Sequence, residues 1–110
     1  MVAGPYLMFP KFDSSLLFVK ELNYAGIDTI IPKWVENLKY ANSVTFNSKR
    51  IMEIKCDICL MNELQLLDIS FSDLYVDEVN HFKEFKKYKK LEKFLTCKPN
   101  LKLKYELPPK

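Results

Sequence analysis

Two stretches of this chain carry the same apolar pattern in the same phase. Val44, Phe46 and Ile51 recur as Leu67, Ile69 and Leu74, and at the same interval Ala41 maps onto Leu64 and Leu38 onto Met61. Self-similarity at a period of roughly 20 to 29 residues marks a repeat architecture, in which one unit cannot bury its own apolar edge and needs a stacked neighbour. An earlier, shortened copy precedes this pair. Leu22 and Tyr24 precede Val44 and Phe46 by one residue less than that interval, and Ile27 and Ile30 precede Ile51 and Ile54 by two residues more than this shorter step. That change of phase reads as a two-residue deletion around Gly26.

Each copy offers a short strand with alternating faces. By the period-2 rule Leu22/Tyr24, Val44/Phe46 and Leu67/Ile69 point inward, and Asn23, Thr45 and Asp68 point outward. Stacking such units builds a parallel sheet. Ile30-Ile31-Pro32-Lys33-Trp34 supplies a returning segment, where proline suits a first helical position or a short helical turn because its missing N–H is an orphan there.

From Val79 the period changes. Val79, Phe82, Phe85, Tyr88, Leu91 and Phe94/Leu95 recur every three or four residues, as on one face of a helix. Lys83, Lys86, Lys87, Lys89, Lys90 and Lys93 fall on its other faces. Leu95-Thr96-Cys97-Lys98-Pro99-Asn100-Leu101 then reads as a degenerate last strand and turn, with Leu95 in the place that Leu67 holds one unit earlier. The helix accounts for the extra length of that unit.

Residues Leu16–Leu103 resemble the leucine-rich repeat family in its Leu-x-x-Leu-x-Leu-x-x-Asn-x-Leu form. The matching frames are Val19/Leu22/Tyr24, Ala41/Val44/Phe46/Ile51, Leu64/Leu67/Ile69/Leu74 and, more loosely, Leu95/Cys97/Asn100. The resemblance implies an α/β fold: a short leucine-rich repeat solenoid with parallel concave strands, helical or irregular convex returns and a longer C-terminal amphipathic helix. It also implies a protein-interaction scaffold. The family's ladder asparagine is replaced by Lys49 and Ser72 and kept only at Asn100. The expected division is an N-terminal arm or cap at 1–15, the repeat domain at 16–103 and a C-terminal tail at 104–110.

The 110 residues suit one domain, and their net charge of +3 is unevenly spread. Residues 1–80 hold seven Lys/Arg against eleven Asp/Glu, whereas residues 81–110 hold ten Lys against three Glu. No apolar run is long enough to span a membrane, which takes about 20 residues. The apolar start, Met1–Pro10, has no basic lead and is broken by Pro5 and Pro10, so no signal peptide is expected. Three cysteines, Cys56, Cys59 and Cys97, are an odd number. The expectation is therefore a cytoplasmic protein with reduced thiols.

Two surfaces are candidates for function. The concave face would bind a protein partner through Asn23, Thr45, Asn47, Leu66, Asp68 and Ser70, flanked by Glu21, Ser43, Thr96 and Lys98. The alternative is an RNA- or ribosome-associated factor touching phosphate through Lys83, Lys86, Lys87, Lys89, Lys90 and Lys93, although a charge run is ordinarily a solvated helix face. Cys56, Cys59, His81 and Cys97 can be written as a zinc set, but structural sites bring two close pairs and here His81 and Cys97 are far apart in sequence. No metal or cofactor is expected. With no phosphate loop, no HExxH and no glycine-rich fingerprint, neither catalysis nor a small-molecule substrate is expected.

Overall fold

The computed structural model describes residues 2–6, 11–26, 28–47, 51–69 and 86–105. Seven strands are formed among them: β1 (Val2–Tyr6), β2 (Glu21–Tyr24), β3 (Ile30–Ile31), β4 (Ser43–Phe46), β5 (Glu53–Ile54), β6 (Leu66–Asp68) and β7 (Lys102–Lys104). One α-helix, α1 (Lys86–Cys97), precedes β7. Three short 3₁₀ turns lie at Ser14–Leu16, Lys33–Asn37 and Ile58–Leu60. The fold is α/β. A five-stranded parallel sheet in the order β1-β2-β4-β6-β7 faces a second layer in which β3 pairs with β5 and α1 packs beside β5.

The register follows the sequence period. Leu22 pairs with Val44 and Val44 with Leu67, while Tyr24 pairs with Phe46. These side chains, with Ile69, form buried columns between the layers. The turns entering the strands repeat as well. Val19 N–H donates to Leu16 O, Ala41 N–H to Leu38 O and Leu64 N–H to Met61 O, each across three residues. Backbone pairing then continues from unit to unit, from Asn42 N–H to Lys20 O, Gln65 N–H to Asn42 O and Lys102 N–H to Gln65 O. Such short strands satisfy their backbone groups only through these neighbours.

Three expectations are corrected. Ile54 pairs with Ile31 and not Ile30; Ile31 is fully buried and Ile30 faces out. The step from Ile31 to Ile54 is thus one residue longer than the step from Leu22 to Val44, not two. Thr29 O sets this register by accepting from both Met52 N–H and Glu53 N–H. Second, Pro32 does lead into a short helical turn, but as its N-cap residue in an extended conformation and not at its first helical position. Third, Leu95-Thr96-Cys97 forms no strand. It is the last turn of α1, and the final strand is β7, whose Leu103 takes the place beside Leu67 that Leu95 was expected to hold. The helix runs on because Lys, Leu and Glu favour it, and Pro99 stops it by starting a turn in which Leu101 N–H donates to Lys98 O. Asn100 therefore sits in the turn before β7, outside any ladder position.

The expected arm or cap, residues 1–15, contributes β1, which pairs with β2 through Val2↔Glu21 and Ala3↔Leu22 before a register shift. Gly4, at φ 102°, lies in a conformation that a Cβ would oppose, and Pro5 follows it. Proline cannot donate to a ladder, which suits this edge of the sheet. At the other edge β7 exposes Lys102 and Lys104, another common protection against unwanted pairing. Lys104 belongs to this strand even though the expected tail begins there. Val79, Phe82, Phe85, Ile27 and Leu74 lie outside the described residues.

Tyr24 does more than fill a column. It is 1% exposed and its phenol oxygen accepts the Asp28 N–H at 2.7 Å, so a core side chain secures the turn after β2. Burial raises the phenol's pKa above its usual value. Tyr24→Phe should lose about 1 kcal/mol in denaturant unfolding, because the turn amide loses its acceptor. An unchanged midpoint would show that this bond adds nothing.

Candidate functional site

The sheet's inner face is spent on the core, so the alternate positions define its outer face. Pairing arranges them in two rungs. The first runs Val2, Glu21, Ser43, Leu66, Lys102, and the second runs Asn23, Thr45, Asp68, Lys104. The structure thus brings the candidates Asn23, Thr45, Leu66 and Asp68 onto one surface. Asn23, Thr45 and Leu66 are half-buried. Asn47, just beyond β4, is exposed while its N–H donates to Tyr24 O at 2.7 Å.

Other candidates are placed differently. Asp68 is only 9% exposed, so it is not an open contact residue. Thr96 and Lys98 are absent from this face; Lys102 and Lys104 take the last positions. Sequence reasoning missed these two because it placed the last strand at Leu95–Cys97. The Lys-Leu-Lys alternation of β7 was the available signal. Ser70 lies outside the described residues.

The lysines of α1 also divide. Tyr88, Leu91 and Phe94 are buried on the side of α1 that meets β5 and the Ile58–Leu60 turn. Burying three such side chains contributes on the order of 5–9 kcal/mol. Lys86, Lys89 and Lys93 are exposed and Lys90 is half-buried. Lys87 departs from the expected phosphate-facing set. It is 2% exposed, donates from Nζ to Ile51 O at 2.6 Å and lies 5.0 Å from the centre of the Tyr88 ring. Lys86, Lys89 and Lys90 lie close to it in sequence, so composition did not single it out. Lys83 and His81 lie outside the described residues.

The cysteines carry the largest correction. Cys59 and Cys97 form a disulfide, so the expectation of three reduced thiols fails. Their separation of 38 in sequence concealed this partnership; folding α1 back on the Ile58–Leu60 turn creates it. Closing a loop of that size stabilises by roughly 4 kcal/mol in the chain-entropy account. Cys56 is the remaining free thiol and is buried; desolvation pushes its pKa up to about 12, which suits packing and not nucleophilic chemistry. With two of the sulfurs bonded to each other, the Cys56/Cys59/His81/Cys97 zinc set cannot assemble in this state. Among the described residues no three His, Cys, Asp or Glu side chains converge as metal ligands.

Beside the disulfide, Asp57 accepts from Cys59 N–H at 3.0 Å and pairs with Lys93 at 3.2 Å. Burial raises the Asp57 pKa, but the Cys59 amide and the Lys93 and Lys90 ammonium groups outweigh it and hold the carboxyl below its usual range. A depressed folded pKa supplies stability above the unfolded value that disappears as pH falls through the folded one. Asp57→Asn should therefore be less stable at pH 7 by on the order of 0.5 kcal/mol, given an exposed lysine partner. That deficit should shrink below about pH 4. Denaturant unfolding across pH checks this; a deficit that stays constant into strong acid would contradict it.

Elsewhere, a shallow groove of about 500 Å³ is lined by Asp28, Thr29, Ile30, Pro32, Lys33 and Lys55. No helix among the described residues is long and apolar enough to cross a membrane. Comparison with protein-family models, curated proteins and solved structures finds no match.

Proposed function

We propose that this chain is a short leucine-rich repeat solenoid that acts as a non-catalytic adaptor or assembly subunit, binding a protein partner through the outer face of its parallel sheet. The observation that carries this reading is the pair of unbroken rungs, in which one column runs from Glu21 through half-buried Leu66 to Lys102. A continuous face with acidic, apolar and basic positions offers shape and charge for a complementary protein surface. The ordered parallel strands and the repeated register of Leu22, Val44 and Leu67 support the repeat assignment. A second reading, contact with RNA or ribosomal phosphate, draws on exposed Lys86, Lys89 and Lys93 of α1. Lys87 is no part of it.

Affinity purification from native extract at low and high salt, with protein and RNA quantified, separates the two. A protein partner recruited by the sheet face should survive high salt and weaken at least tenfold, about 1.4 kcal/mol, with Thr45→Arg/Asn47→Arg. Recovery unaffected by these changes but abolished by Lys86→Glu/Lys89→Glu, with RNA lost as salt rises, would replace the first reading by the second. Asp68→Arg is avoided because that residue is buried.

A further inference from the structure

The disulfide lies at the end of α1, just ahead of the edge strand β7. Beyond Phe94, the last turn of α1 holds exposed Leu95, Thr96 and Cys97. The chain then makes the Lys98–Leu101 turn and enters β7, a short edge strand with exposed Lys102 and Lys104. Leu101, at 8% exposure, and half-buried Leu103 anchor this segment in the core, with half-buried Tyr105 packed against the core just beyond it. Cys97 ties it to Cys59, on a turn whose neighbour Ile58 is buried.

We propose that the Cys59–Cys97 disulfide is a redox latch that keeps β7 docked on β6: reduction by an external dithiol releases the segment from Leu95 to Lys104 while β2, β4 and β6 stay paired. Cys97 is exposed and Cys59 partly buried, so the reductant's thiolate attacks Cys97 Sγ. The sulfur–sulfur bond breaks, Cys59 leaves as a thiolate and takes a proton, and a mixed disulfide forms on Cys97. The reductant's second thiol displaces Cys97, which is protonated in turn. The balance is one protein disulfide and one dithiol converted to two protein thiols and one oxidised reductant. Buried Cys56, three residues from Cys59, is withheld from this exchange.

Release would remove Lys102 and Lys104 from the outer face and leave the backbone edge of β6 open to another strand. The proposal concerns the docking of β7 whatever that face binds, so it stands apart from the partner reading.

Residue-resolved amide exchange on the full chain, with and without dithiothreitol, tests it. Lys102 N–H, bonded to Gln65 O, and Ile69 N–H, bonded to Lys104 O, should lose protection by at least about tenfold on reduction. Gln65 N–H, bonded to Asn42 O, should change little. Cys97→Ser should give the reduced pattern without reductant. Unchanged protection at Lys102 and Ile69, equal loss at Gln65, or three titratable thiols in the protein denatured without reductant would each overturn the latch. If the variant fails to fold, reduction of the parent chain remains decisive.

Discussion

A parallel strand of so few residues cannot satisfy its own backbone, and no tight hairpin can bring its partner alongside. Every strand in this sheet depends on a return segment that brings the chain back one unit away, in register. That constraint governs the molecule. It fixes the inward columns of Leu22, Val44 and Leu67 and of Tyr24 and Phe46. It also requires the return layer to keep pace, as β3 and β5 do through Ile31 and Ile54. The outer rungs follow as the remainder, because residues between inward positions have nowhere else to go.

Where the return is a strand and a 3₁₀ turn, the steps from Leu22 to Val44 and from Val44 to Leu67 differ by a single residue. The unit that contains α1 is longer by more than half, yet Leu103 still reaches Leu67. The helix meets the same demand by burying Tyr88, Leu91 and Phe94 beside β5, with Lys87 bonded to Ile51 O. The disulfide is a second constraint beside this burial. The two act on different places: apolar burial holds the body of α1, whereas the disulfide holds its end and the path into β7.

The central strands were legible because their signal is periodic and local. Leu38, Ala41, Val44 and Phe46 mark one unit, and Met61, Leu64, Leu67 and Ile69 mark the next; all are buried. The last unit was not, because Leu95, Cys97 and Asn100 imitate strand spacing inside a helix and its following turn. A one-residue ambiguity at Ile30 and Ile31 was also unreadable from two adjacent isoleucines; the Thr29 carbonyl decides it. The candidate face was partly legible. Alternation groups Asn23, Thr45, Leu66 and Asp68 on one face, but it does not show that Asp68 is buried there. Disulfide pairing and the inward turn of Lys87 arise from tertiary proximity, which residue type and spacing do not encode.

The most direct measurement of the central claim is an NMR map of hydrogen bonds across the sheet, using through-bond couplings between amide nitrogen and carbonyl carbon. Couplings from Asn42 N to the Lys20 carbonyl, Gln65 N to the Asn42 carbonyl and Lys102 N to the Gln65 carbonyl would establish the parallel register running to β7. Pairing of residues 95–97 with β6 in place of 102–104, or coupling of Asn42 N to any carbonyl other than that of Lys20, would contradict the account.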